Sequence, residues 1–140
     1  MYIPIASDHA GFNLKQFIIS NFNDYHWQDA GCNSLASVDY PDFAHPLADY
    51  ISKNSEAKGV LICGSGNGMQ MCANKHPNVR AALCWNKEIA VLARAHNNAN
   101  ILVLPARFIS QEEAIEIITL FFETNFEGGR HTNRVEKINL

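Results

Sequence analysis

Cys63-Gly64-Ser65-Gly66-Asn67-Gly68 is the stretch of this 140-residue chain in which residue types and spacing speak most directly of chemistry. Alternating glycines leave backbone N–H groups open to an anion, and the thiol of Cys63 precedes them at the start of a helical pattern. Such a position favours thiolate. A thiolate base beside an N–H cradle suits proton abstraction next to a carbonyl, with the cradle holding the enediolate oxygen. Three other readings of the loop fail on spacing. A dinucleotide fingerprint requires G-x-G-x-x-G, but Gly68 comes one residue early, and Cys84-Trp85-Asn86 further on offers no acid for a ribose hydroxyl. A P-loop ends in Gly-Lys-Ser/Thr, whereas Met69-Gln70 follow Gly68. A nucleophile elbow centred on Ser65 requires glycines where Cys63 and Asn67 stand.

Other polar groups recur near the ends of apolar runs: Ser7-Asp8-His9, Arg94-Ala95-His96-Asn97-Asn98, Pro105-Ala106-Arg107, and Arg130 with Arg134. Two arginines four apart, joined by a histidine, suit a phosphate monoester. The acids Asp8, Asp29, Asp39 and Asp42 have no histidines at ligand spacing, so no divalent-metal cluster is expected. Each residue also has a plain structural reading. Cys63 could be a buried cysteine closing a strand, Asp8 and His9 a cap pair, His96 a surface histidine, and the two arginines solvated side chains. Taken together, and gathered at one edge of a sheet, they point to a metal-free isomerisation of a small phosphorylated sugar.

The elements that must position these groups follow from hydrophobic patterning. Short apolar runs at Tyr2–Ala6, His26–Asp29, Gly59–Cys63, Val79–Cys84 and Asn100–Leu104 predict strands. Helical spacing between and after them predicts helices over 11–22, 42–52, 67–75, 87–96 and 111–123. Strands alternating with helices predict an α/β fold: an open, doubly wound, Rossmann-like sheet of five parallel strands with helices on both faces. In such sheets ligands sit outside the carboxyl ends of the strands. Residues 127–134 are polar and turn-rich, and Val135, Ile138 and Leu140 follow as a short apolar tail with little to pack on in its own domain. The expectation is one domain, 1–140, whose segment from about 128 to 140 reaches a second subunit.

Composition narrows the function classes. Eleven Lys and Arg against fourteen Asp and Glu give a net charge of −3, which supplies no basic field for nucleic acid. The purest apolar run, Val60-Leu61-Ile62-Cys63, is far shorter than the roughly 20 residues of a membrane span. Met1–Ile5 lacks the features of a signal peptide. Cys32, Cys63, Cys72 and Cys84 show no C-x-x-C pair, so they read as reduced thiols of a cytoplasmic protein.

At this point the motifs resemble a known family. Ala6-Ser7-Asp8-His9-Ala10-Gly11-Phe12, Asp39-Tyr40-Pro41-Asp42, Cys63–Gly68, Ala73-Asn74-Lys75, Arg80-Ala81-Ala82, His96–Asn100 and Gly128-Gly129-Arg130-His131 are similar, in order, to those of type B ribose-5-phosphate isomerases. The galactose-6-phosphate isomerase subunits share that superfamily. The resemblance implies interconversion of ribose 5-phosphate and ribulose 5-phosphate with no cofactor or metal, and Cys63 as the base that shuttles a proton between C2 and C1. It implies ring opening by His96, and contacts to sugar oxygens from Asp8, Tyr40, Ser65 and Asn97. It further implies enediolate stabilisation by the backbone of Gly64, Ser65, Gly66, Asn67 and Gly68, and phosphate binding by His9, Arg107, Arg130 and Arg134. A site built between subunits of a homodimer, or dimer of dimers, is implied as well. Asn67 stands where many members carry an apolar residue, which bears on sugar preference. A hexose 6-phosphate such as allose or galactose 6-phosphate is the rival substrate, and a non-catalytic sugar-phosphate-binding protein the rival class.

Overall fold

The computed structural model describes residues 2–140. In chain order the elements are β1 (Tyr2–Ser7), a 3-10 turn (His9–Gly11), α1 (Phe12–Asn21), β2 (His26–Asp29), α2 (Pro41–Lys53), β3 (Gly59–Cys63), α3 (Asn67–Ala73), β4 (Ala81–Leu83), α4 (Lys87–Ala95), β5 (Ile101–Pro105), α5 (Gln111–Glu123) and α6 (Arg130–Glu136). All five strands are parallel, in the order β2-β1-β3-β5-β4. The chain leaves β1 towards β2 and returns to place β3 on the other side of β1. The crevice between the carboxyl ends of β1 and β3 is therefore the topological switch point, where ligands of such sheets bind.

β3 and β5 are buried along their whole lengths, as strands covered on both faces must be. Alternation along them divides the core. Val60, Ile62, Leu102 and Leu104 face α1, α4 and α5 through Ile18, Ala90 and Phe121. Leu61, Cys63, Ile101 and Val103 face α2 and α3 through Leu47, Ile51 and Met69. Helix starts are fixed locally. Asn86 accepts from the Ile89 N–H to open α4, and Ser110 with Glu113 forms a reciprocal capping box on α5. No helix among the described residues is long and apolar enough to cross a membrane.

Two expectations need correction. The predicted strand over Val79–Cys84 is only Ala81–Leu83, because β4 is an edge strand with a ladder on one side alone. The polar segment 127–134 is not a continuous turn. Gly128 and Gly129 take positive φ and start α6, whose buried residue is His131.

Lys15 is wholly buried on α1, with Nζ 2.5 Å from Asp29 Oδ1 and 2.6 Å from the Cys32 carbonyl. Asp29 also accepts from the Gly31 N–H at 3.0 Å. This bridge fastens the segment after β2 to the body of the fold, and that segment accepts the Ser7 N–H through Gly31. Asp29→Ala would leave the Lys15 ammonium buried without a counter-charge. It is expected to destabilise folding by about 3 kcal/mol, read as a lower urea midpoint at unchanged slope. A midpoint within experimental error of the parent would show that the pair is not a structural bridge.

Candidate active site

Two loops flank the switch point. After β1, Asp8 caps the 3-10 turn, its Oδ1 accepting from Ala10 N at 3.0 Å and Gly11 N at 3.2 Å. The cap reading of Asp8 is thus correct, and its second carboxylate oxygen remains free of protein partners among the described residues. His9 is not part of that cap. Its Nδ1 accepts the Val38 N–H at 3.2 Å, which ties the 32–40 segment to the turn and brings Tyr40 towards the site.

After β3, Cys63 is 5% exposed at the strand tip, and its sulfur makes no hydrogen bond among the described residues. The backbone N–H groups of Gly64, Ser65 and Gly66 are likewise without protein acceptors among the described residues. They form an open cradle beside the thiol. The glycines are dictated by close approach. Gly66 lies at φ +79°, and a Cβ there would run into the Leu83 side chain; one at Gly68 would run into the Tyr40 ring. Tyr40 thus roofs the loop from one side. Arg107 lies across it from the other, with Cδ 3.3 Å from the position a Gly64 Cβ would occupy and its N–H donating to the Gly64 carbonyl at 3.0 Å. The Ser65 hydroxyl accepts from Asn67 N at 3.3 Å, and both side chains face solvent.

The other cysteines have different surroundings. Burial pushes the Cys84 thiol up to about 12, so it stays protonated. Burial, and then the neighbouring Cys63, push Cys72 up. Cys32 donates to the Ser34 carbonyl at 3.4 Å. All four are free thiols.

His96 and Asn97 do not join this group. A helix that follows a parallel strand runs back across the sheet, so the carboxyl end of α4 lies at the amino edge. The expectation that all site residues collect on one edge is corrected here: a strand the length of β3 puts roughly 16 Å between the two edges. At the amino edge His96 meets the chain terminus. Its ring stacks on His131, with centroids 4.1 Å apart and planes 12° from parallel. Glu127 Oε2 is 3.7 Å from His96 Nε2 and 3.6 Å from His131 Nε2. Burial first, then His96 and Arg130, hold His131 below the usual histidine range. This three-residue cluster was missed in the sequence, where only the Glu127–His131 spacing of four hinted at it.

Between the two edges runs a cleft of about 890 Å³ along the unpaired side of β4. Gln70, Leu83, Leu92, His96, Arg134 and Ile138 are among the residues lining it. Arg130 and Arg134 are exposed on α6 and near enough to act electrostatically on His131.

Residues 3–138 match the family model described as Ribose/Galactose Isomerase. A Mycoplasma genitalium protein named "Probable ribose-5-phosphate isomerase B" is 47% identical over 97% of this chain and 92% of its own. The crystal structure of a ribose 5-phosphate isomerase from Thermotoga maritima superposes with a TM-score of 0.95 at 46% identity, covering 99% of this chain and 97% of that one. The ribose-5-phosphate isomerase B of Mycoplasma genitalium, solved with bound ribulose 5-phosphate, superposes with a TM-score of 0.94 at 47% identity, covering 98% and 93%. With the sheet order, the glycine loop and the terminal histidine cluster in view, these likenesses establish that the chain belongs to the ribose/galactose isomerase family.

Proposed function

We propose that this chain interconverts ribose 5-phosphate and ribulose 5-phosphate, with Cys63 as the proton-shuttling base. The observation that carries this reading is an unbonded thiol beside an open N–H cradle at the switch point. It gains support from 47% identity to a protein solved with ribulose 5-phosphate. The Cys63 thiolate removes the C2 proton of the open-chain aldose. The N–H groups of Gly64, Ser65 and Gly66, with Asn67 and Gly68 opening α3, hold the resulting enediolate oxygen. A proton passes from O2 to O1, for which the Ser65 hydroxyl is the nearest relay along the chain. Cys63 then returns its proton to C1. Asp8 and Tyr40 hold sugar hydroxyls, and His9, Arg107, Arg130 and Arg134 hold the phosphate.

This assignment requires a second copy of the chain. His96, the proposed ring-opening group, and Asn97 stand at the edge opposite Cys63. A two-fold axis perpendicular to the strands would set the amino edge of one copy beside the carboxyl edge of the other, twice over. The cleft along β4 is the surface such a partner would cover. It contains Val135 and Ile138 of the apolar tail, and β4 is an unpaired edge that a soluble protein has reason to cover. Each site would then combine Cys63, the glycine loop and Arg107 of one subunit with His96, Asn97, Arg130 and Arg134 of its neighbour. Four free cysteines suit the reducing cytoplasm as the setting.

The direct test is turnover of ribose 5-phosphate, with allose 6-phosphate and galactose 6-phosphate measured in parallel. The expected result is preference for the pentose, unchanged by EDTA. Preference for a hexose would move the substrate within the family. Loss of activity on chelation, restored by metal, would overturn the metal-free mechanism, and binding without turnover of any sugar would overturn the enzymatic reading.

A further inference from the structure

We propose that His96, Glu127 and His131 form a binding site for one divalent ion of the zinc class, and that its occupancy silences the enzyme by engaging His96. The three side chains offer ligand atoms that all lie within 4.8 Å of one another. A tetrahedral zinc ion with bonds of about 2.0–2.1 Å holds its ligand atoms about 3.4 Å apart. The carboxylate oxygen of Glu127 already stands 3.7 Å and 3.6 Å from the two imidazole nitrogens. Closing the two carboxylate gaps takes only a few tenths of an ångström, and the stacked rings, 12° from parallel, must tilt for both nitrogen lone pairs to meet one ion.

The backbone holds the ligands in place. The Glu127 N–H donates to the Ala95 carbonyl at 3.0 Å, fastening the chain terminus to the last turn of α4 beside His96. The His131 N–H donates to the Gly128 carbonyl at 3.0 Å, so Glu127 and His131 face the same side of the start of α6. Two imidazoles and a carboxylate select zinc or copper over magnesium or calcium. Three protein ligands leave a coordination position open, as in exchangeable rather than closed structural sites. Arg130 and Arg134 oppose a cation here, which sets the affinity below that of a buried structural zinc. The inhibitory part rests on the proposed role of His96: a ring nitrogen bound to metal can no longer move a proton for ring opening.

Calorimetric titration of the full chain with zinc chloride decides the site independently of turnover. One ion per chain is expected, with Glu127→Gln and His131→Asn each weakening uptake at least about tenfold. Glu127 is exposed, so its variant carries the decision if His131→Asn fails to fold. Cys63→Ser and His76→Asn are expected to bind as the parent does. They exclude the thiol and the separate His45–His76 pair, whose ring nitrogens lie 2.8 Å apart. In the turnover assay zinc should inhibit with the calorimetric midpoint, EDTA should restore full activity, and Glu127→Gln should need at least tenfold more zinc. No uptake, uptake lost in Cys63→Ser or His76→Asn, or uptake unchanged in Glu127→Gln would overturn the site. Uptake at the site without inhibition would overturn the coupling to His96. A chain that binds zinc there but turns over no sugar would sink the isomerase reading and leave the site standing.

Discussion

Cys63→Ala is expected to lower turnover of ribose 5-phosphate by about a thousandfold, the scale of losing a positioned proton-transfer group. No other group takes its place: Cys84 lies beyond the edge strand β4 and is a protonated thiol, and Asp8 is committed through one oxygen to its cap. The fold should persist. Cys63 touches the core formed with α2 and α3, but losing one sulfur at the solvent end of that layer costs on the order of 1 kcal/mol. The N–H cradle is backbone and survives the substitution, so product should still bind. The expected pattern is a collapsed kcat with a KM near the parent value and a melting temperature lowered by only a few degrees. Near-parent turnover would remove Cys63 as the base. Collapse of both binding and melting temperature would mean that the residue is structural.

The second large effect concerns mixtures. His96→Asn should by itself lower turnover by about a hundredfold, and Cys63→Ala is nearly inactive. If each site draws Cys63 from one subunit and His96 from the other, a heterodimer of the two variants has one site lacking both groups and one site with both intact. Random reassociation of equal amounts makes half the dimers mixed, so the mixture should recover about a quarter of parental activity. A site built within one chain would give no intact site in any combination, and activity would stay at the floor of the two variants. The measurement is turnover after co-refolding, compared with each variant refolded alone. No recovery, with mixed dimers demonstrably formed, would overturn the shared site.

Much of this fold was legible in the sequence because the central strand β3 advertises itself as a wholly apolar run. Gly59–Cys63 occupies the predicted residues, as does the edge strand His26–Asp29, and α5 runs over the predicted 111–123, where a capping box marks its start. The glycine loop was legible for the same reason. Glycines packed under Tyr40 and Leu83 are a backbone requirement that leaves a mark in the letters. What escaped the sequence was direction. Listing His96 with the strand-tip residues ignores that α4 descends as β4 ascends, and linear proximity to a strand says nothing about which edge a helix end reaches. Likewise α6 was hidden by composition. Its charged and polar residues face outward, and only His131 is buried, so no apolar period betrays a helix. The cluster of His96 with Glu127 and His131 joins residues some thirty positions apart, a proximity made only by the return of the chain after α5.

The hydrogen bond from the Val38 N–H to His9 Nδ1 has a chemical corollary for the proposed phosphate site. A ring nitrogen that accepts a backbone proton cannot carry its own, so the uncharged imidazole must keep its hydrogen on Nε2. His9 held in this way therefore presents an Nε2–H donor to a phosphate oxygen without carrying a charge. The tautomer is set by a main-chain amide twenty-nine residues away, so a bond within the fold decides which ring nitrogen the phosphate would meet.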